Sequence, residues 1–329
     1  MTETTSFTIT IEPRAVKRIG LVGTGLIGSA WAAHFLARGL DVIAYDPDPN
    51  AEGKLRAWVN KAWPSLEQLG LATGASQDRL HFTTKINDAL KDADFIQEST
   101  PENHEIKDKV MAAISAAARP DRVITSSTSG IIPTRLQAQC QHPQRMLVGH
   151  PFNPVHLIPL VEVVGGQHTA PDALRWTMGF YRHWGKTPLH CRAEVPGHLG
   201  NRLQAAVGNE ARQLVAEGLA TTGDIDTALT AGPGLRWALL GYFMIGHLAA
   251  GEGGLRDTLM GKFDAESAAN ENSNLELIER MITGNQSQVA GRSLTEIEQM
   301  RDEFLVGLLK VRADIERKYG FDAGSFTGD

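Results

Sequence analysis

At 329 residues the chain exceeds the roughly 250–300 residues at which one hydrophobic core stops growing, so two domains are expected. Apolar residues make up 42% and charged residues 21%, as in an ordinary globular protein, and a net charge of -6 leaves no basic footprint for nucleic acid. Cys140 and Cys191 show neither metal spacing nor a disulfide framework, and the first residues lack a basic, apolar leader, which points to a cytoplasmic protein.

A first strand is predicted over 18–24, RIGLVGT. Leu26, Ile27, Ala30, Ala33 and Leu36 then recur at helical spacing up to Gly39, and LDVIAYD at 40–46 is a second apolar strand. Strand, glycine turn, helix and strand make the βαβ unit of a parallel sheet. Further strands are expected at 93–97, 122–126, 146–149 and 160–164, with helical stretches between most of them. Residues 1–194 therefore read as a Rossmann-type, doubly wound parallel α/β domain. From Val195-Pro196-Gly197 onward strand signals stop, and helical patterns run over 200–219, 235–250, 273–283 and 293–319. Ser293 with Glu296 predicts a capping box and Gly320 a C-cap, so residues 195–329 read as an all-α domain. The most apolar stretch, Trp237 to Ala250, is too short to span a membrane and is expected to be a buried helix.

Gly23, Gly25 and Gly28 follow the first strand as G-x-G-x-x-G. The first glycine permits a tight turn, the second lets backbone approach a pyrophosphate, and the third lets helix pack on strand. Leu26 and Ile27 open the helix whose N-terminus faces those phosphates and are counted with the cofactor residues. Asp46, ending the second strand, is placed to accept from a ribose 2′-hydroxyl and to repel a 2′-phosphate, and no arginine stands beside it. NAD is therefore expected rather than NADP, and FAD is disfavoured because no long inserted domain is present to bury it.

Four motifs follow in order: E-S-T-P-E-N-H-E-I-K from Glu98, S-S-T-S-G from Ser126, H-P-F-N-P from His150 and V-E-V-V from Val161. V-P-G-x-x-x-N-R then spans 195–202. With these motifs the chain resembles the 3-hydroxyacyl-CoA dehydrogenase superfamily over essentially its whole length. The resemblance implies that His150 is a general base, that Glu162 pairs with its other ring nitrogen, that Ser129 bonds the substrate oxygen and that Asn201 assists. It also implies that Glu102, Lys107 and Asn153 lie near the nicotinamide end of the cofactor, and Ser127 is counted there too. Ser127 and Gly130 depart from the family's usual S-N-T-S-S.

The chemistry has its own support. Hydride loss from a secondary alcohol needs a base for the hydroxyl proton, and imidazole serves near neutral pH. A carboxylate behind the ring fixes its tautomer and stabilises the imidazolium, and a hydroxyl donor such as Ser129 stabilises the developing alkoxide. Glu162 stands in an apolar strand, LVEVV, where an unpaired charge is costly.

The segment G-P-G-L-R-W-A-L-L-G-Y-F at 232–243 resembles the branch of the superfamily that acts on small hydroxyacids. Trp237, Tyr242 and Phe243, with Phe152 beside His150, offer ring faces to a quaternary ammonium group. Arg236 is a candidate partner for a carboxylate, and Glu252 in G-E-G-G adds negative charge for the cation. L-carnitine is thus the expected small-molecule substrate, with L-gulonate or another small 3-hydroxyacid as the alternative. An NAD-binding structural protein or redox sensor is the rival reading from outside catalysis. No metal, nucleic-acid or membrane partner is expected, and the resemblance implies a homodimer joined through the helical domain.

Overall fold

The computed structural model describes residues 7–263 and 271–320. Its contacts divide the chain into two compact units, Met1–Ala205 and Ala206–Asp329. In chain order the first unit runs β1 (Arg18–Val22), α1 (Leu26–Ala37), β2 (Asp41–Tyr45), α2 (Ala51–Leu69), β3 (Leu80–Thr83) and α3 (Ile86–Leu90). It continues through β4 (Phe95–Glu98), α4 (His104–Ala117), β5 (Ile124–Ser126), α5 (Pro133–Gln137), β6 (Met146–Pro151) and β7 (Leu160–Gly165). It closes with α6 (Pro171–His183), β8 (Thr187–Cys191) and the first turns of α7 (Gly200–Ala216).

The strands form one sheet in the order β3-β2-β1-β4-β5-β6-β7-β8. Neighbours pair in parallel from β3 to β6, as the βαβ pattern predicts. The expectation of a parallel sheet is corrected at β7, which runs antiparallel to β6 and parallel to β8. The physical reason is the connection: only residues 152–159 lie between β6 and β7, enough for a hairpin but short of the dozen or more that a parallel crossover needs.

Two strands carry no sequence signal. β3 and β8 are the edges of the sheet, where one side needs no neighbour, so β3 has four residues and β8 carries Pro188 and several exposed side chains.

Helix α1 is apolar all round, and every residue from Gly28 to Ala37 is buried, as a helix sandwiched in a core requires. Trp31 stacks on Phe35 and Tyr181 at ring separations of 5.1 and 5.6 Å, and Phe95 stacks on Phe180 at 4.0 Å. This aromatic core extends to the strand that carries His150. A Cβ at Gly149 would strike the Tyr181 ring, whose hydroxyl donates to Gln97 Oε1 at 2.7 Å.

The second unit holds the remainder of α7, then α8 (Thr222–Ala231), α9 (Pro233–Trp237), α10 (Gly241–Ala249), α11 (Gly254–Phe263), α12 (Glu271–Val289) and α13 (Leu294–Tyr319). Its described residues are helical or connecting. Ser293 and Glu296 form a capping box, and Gly320 closes α13 in the left-handed conformation.

The single helix expected over 235–250 is instead two, because the backbone breaks after Trp237 and Gly241 takes φ +72°. Nor is the segment a buried helix: Met244 and Leu248 are buried, whereas Tyr242 is 62% exposed. No helix of the described residues is long and apolar enough to cross a membrane.

Candidate active site

The glycine turn between β1 and α1 forms one wall of the site. Gly23 sits at φ +90°, and a Cβ there would lie 2.8 Å from the Ser99 backbone. A Cβ on Gly28 would collide with the Gly23 carbonyl, so helix and strand meet through glycine alone. Gly25, by contrast, would place a Cβ where no described atom lies within 4 Å. It is also the N-cap of α1 and offers no capping side chain, so the first amides of the helix are left for an anion.

A cavity of about 650 Å³ opens there, lined by Gly23, Gly25, Leu26, Ile27 and Asp46. Glu102, Ser127 and Ser129 line it as well. Asp46 Oδ2 accepts from the Thr24 amide at 3.1 Å and the Thr24 hydroxyl at 2.9 Å, which ties the end of β2 to the glycine turn. Its second oxygen accepts from the Asp48 amide at 3.1 Å, and each carboxylate oxygen retains acceptor capacity for a diol. Open space at the middle glycine, free helix amides and an acidic residue across the turn fit the phosphates and ribose of a dinucleotide.

Lys107 lies buried at the end of β4. It is 1% exposed, and its ammonium donates to Glu98 at 2.9 and 3.1 Å and to the Thr100 carbonyl at 3.2 Å. Glu98 also accepts from the Thr100 amide at 2.6 Å and from the Ser126 hydroxyl. This buried ion pair welds the ends of β4 and β5 beneath the cavity. Glu102 is the exposed end of the network, 3.8 Å from Lys107. Burial opposes its ionisation most strongly, but hydrogen bonds from the Thr128 hydroxyl and the Gly130 amide outweigh it and hold the carboxyl below its usual range. The Ser127 hydroxyl is engaged inside, accepting from Gln97 at 2.9 Å and Trp31 at 3.2 Å. Asn153 is exposed on the loop after β6.

His150 and Glu162 are directly opposed residues of the antiparallel pair β6–β7. His150 Nδ1 lies 2.9 Å from Glu162 Oε2, and the two residues are 6% and 0% exposed. The other carboxylate oxygen accepts from the backbone amides of Leu199 and Gly200, each at 2.8 Å. Burial is again the largest influence on Glu162 and raises it, yet the bonds from His150, Gly200 and Leu199 hold it below the usual range. The carboxylate thus faces Nδ1, which donates to it, leaving Nε2 free to accept in that tautomer.

Around the pair, Phe152 packs edge-on to His150 at 5.1 Å, and Gly200 admits its ring where any side chain would collide. Ser129 is half-buried, and its hydroxyl makes no hydrogen bond with the described residues. Asn201 is the second residue of α7, its side-chain oxygen 3.4 Å from Gln204 Nε2.

The residues picked out from the sequence did not include His198, which directly follows Gly197 in the V-P-G-x-x-x-N-R run. Its ring is buried and lies 5.2 Å from that of His150. A polar ring in an otherwise apolar loop entry was the only available signal.

In the helical unit, Trp237 and Tyr242 have ring centroids 6.4 Å apart and Tyr242 and Phe243 5.5 Å, with interplanar angles of 59° and 81°. Three exposed rings thus meet at angles rather than stacking. Arg236 and Glu252 are both exposed.

Comparison with known proteins agrees with this geometry. Residues 18–195 match the profile of the 3-hydroxyacyl-CoA dehydrogenase NAD binding domain, and residues 197–292 that of the 3-hydroxyacyl-CoA dehydrogenase C-terminal domain. A protein of Pseudomonas aeruginosa named L-carnitine dehydrogenase is 47% identical, over 93% of this chain and 97% of its own length. One from Pseudomonas sp with the same name is 46% identical over the same shares. Among solved structures, 5-formyl-3-hydroxy-2-methylpyridine 4-carboxylic acid 5-dehydrogenase superposes with a TM-score of 0.67 at 29% identity, covering 93% of this chain and 100% of that one. With a dinucleotide cradle, a buried His–Glu pair and both profiles matched in order, the chain belongs to the 3-hydroxyacyl-CoA dehydrogenase family and is an NAD-dependent 3-hydroxyacid dehydrogenase.

Proposed function

We propose that this enzyme oxidises the 3-hydroxyl of L-carnitine to the 3-keto acid, with His150 as general base. The observation that carries the chemistry is the His150–Glu162 pair, 2.9 Å apart across the β6–β7 register. The names and the near-full coverage of the relatives carry the choice of substrate.

The glycine turn, the Leu26 and Ile27 amides and Asp46 would hold NAD, which would supply the hydride acceptor for the hydroxyl-bearing carbon. His150 Nε2 takes the hydroxyl proton, and Glu162 keeps the opposite ring nitrogen protonated and balances the imidazolium charge. The Ser129 hydroxyl donates to the substrate oxygen as negative charge develops there, and Asn201 assists from the start of α7. Asp46 holds the adenosine ribose, the amides at Leu26 and Ile27 face the phosphates, and Glu102, Ser127 and Asn153 serve the nicotinamide end. Lys107 acts there only through Glu98 and Glu102.

The angled rings of Trp237, Tyr242 and Phe243 present π faces suited to a trimethylammonium group, with Glu252 adding negative charge and Arg236 for the carboxylate. The functional boundary falls at Glu194–Val195, which the meeting of the two family profiles supports. A homodimer in the cytoplasm completes the reading.

A panel of L-carnitine, D-carnitine, L-gulonate, 3-hydroxybutyrate and its CoA thioester, each with NAD, tests it by NADH absorbance. L-carnitine is expected to give the highest kcat/KM, and a higher value for any other member overturns the substrate assignment. Replacing His150 with Gln is expected to lower kcat by about 10²–10⁴-fold with NAD affinity retained. Parallel loss of NAD binding counts against His150 as the base.

A further inference from the structure

Beside the His150–Glu162 pair lies a second histidine that the mechanism above does not use. His198 is 1% exposed, its ring is 5.2 Å from that of His150 at an interplanar angle of 50°, and its backbone takes the left-handed φ of +50°. Its Nε2 lies 3.3 Å from the Thr128 carbonyl. A carbonyl can only accept, so Nε2 carries the proton and Nδ1 is left as a lone-pair acceptor.

That Nδ1 is buried without a hydrogen-bond partner among the described residues. An unpaired buried acceptor is costly, and so is a left-handed residue with a side chain. An apolar filler would avoid the first cost and a glycine the second. A residue that served packing alone would incur neither.

The surroundings indicate what the imidazole is for. Thr128 immediately precedes Ser129, and the Thr128 hydroxyl donates to Glu102. On its other side His198 precedes Leu199 and Gly200, whose amides hold Glu162. One side chain therefore joins the segment that carries Ser129 to the segment that fixes the dyad carboxylate. Burial, and then the neighbouring His150, press its basicity below that of an ordinary histidine, while the Thr128 bond works the other way.

We propose that His198 is a positioning residue, whose Nε2–H bond to the Thr128 carbonyl keeps Ser129 in register with the His150–Glu162 pair. This rests on the reading of His150 as the base.

The test compares two variants. In His198→Asn the amide reaches only as far as Nδ1 of the lost ring, and asparagine tolerates the left-handed backbone. In His198→Gln the amide nitrogen reaches as far as Nε2 and can donate to Thr128. Each is measured with the best substrate of the panel, so a wrong substrate assignment leaves the test intact.

For His198→Asn the expected result is a kcat lower by about 10–100-fold, with KM, NAD affinity by tryptophan fluorescence quenching, and melting temperature little changed. His198→Gln is expected to recover kcat to within about threefold of the parent. Full activity of His198→Asn overturns the proposal. So does equal loss in both variants, which denies the Thr128 bond a role, and so does loss that tracks the melting temperature, which makes His198 a folding residue. A His150→Gln control run alongside separates the two readings: if it keeps full kcat, the base assignment fails whatever His198 shows.

Discussion

Asp46 and Gly149 illustrate how single residues set the site. Asp46 ties the end of β2 to the glycine turn through Thr24, and in the proposed reading it also serves the adenosine ribose. Asp46→Ala is expected to shrink the preference for NAD over NADP by about tenfold or more, since a hydrogen bond to a charged group is worth about 1.5–3 kcal/mol. Unchanged ratios of kcat/KM for the two cofactors would remove Asp46 from the ribose site. Gly149 is required for a different reason. It precedes His150 in β6, and the Tyr181 ring occupies the space of its missing side chain. Gly149→Ala is expected to destabilise the fold by about 1–3 kcal/mol through overpacking, read as a fall in denaturant midpoint. A midpoint unchanged from the parent would show that Tyr181 gives way freely.

At the scale of elements, the β6–β7 hairpin is the device that assembles the dyad. His150 and Glu162 are 12 residues apart in the chain, and only an antiparallel register sets them opposite one another on the same face. Lys186, just before β8, tethers the loop of that hairpin by donating to the carbonyls of Val155 and of Ile158, the latter at 3.0 Å. Burial first, and Arg38 second, push this ammonium down to about 7 from 10.5. Between those values the unfolded chain binds the proton that the folded chain has released, so this group makes stability rise with pH from about 7 to about 10.5. Below that window its cost to the fold is complete. Lys186→Met is therefore expected to flatten the rise in denaturant midpoint between neutral and alkaline pH relative to the parent, while losing the two loop bonds. Identical slopes for parent and variant would show that Lys186 stays charged in the fold.

At the scale of the molecule, the helical unit leaves apolar side chains in water. On α13, Val306, Leu309 and Ile315 are 52%, 50% and 49% exposed, and its buried clusters are small, such as Leu255, Leu259, Ile278 and Ile282. The protein is expected to sediment at twice the chain mass, and a single-chain mass at micromolar concentration would refute the homodimer. Compactness also explains why the first unit extends to Ala205, beyond the last strand. Glu162 holds the amides of Leu199 and Gly200, which ties the start of α7 to β7.

What the sequence determined by itself was everything written in local period or in contiguous motif. The glycine turn, the apolar run of α1 and the capping box at Ser293 each follow from interactions within a few residues of one another, and Asp46 from its place at the end of the second apolar strand. Tertiary structure alone decided the rest. It set the antiparallel turn of β7 and the edge strands β3 and β8, which obey pairing rather than hydrophobic pattern. It also buried Lys107 against Glu98, broke the helix after Trp237, and placed His198 against His150. Each of these depends on which distant segment supplies a neighbour. A local pattern records the energy of near contacts, whereas the pairing of a buried charge or ring is settled only when the whole chain has closed around it.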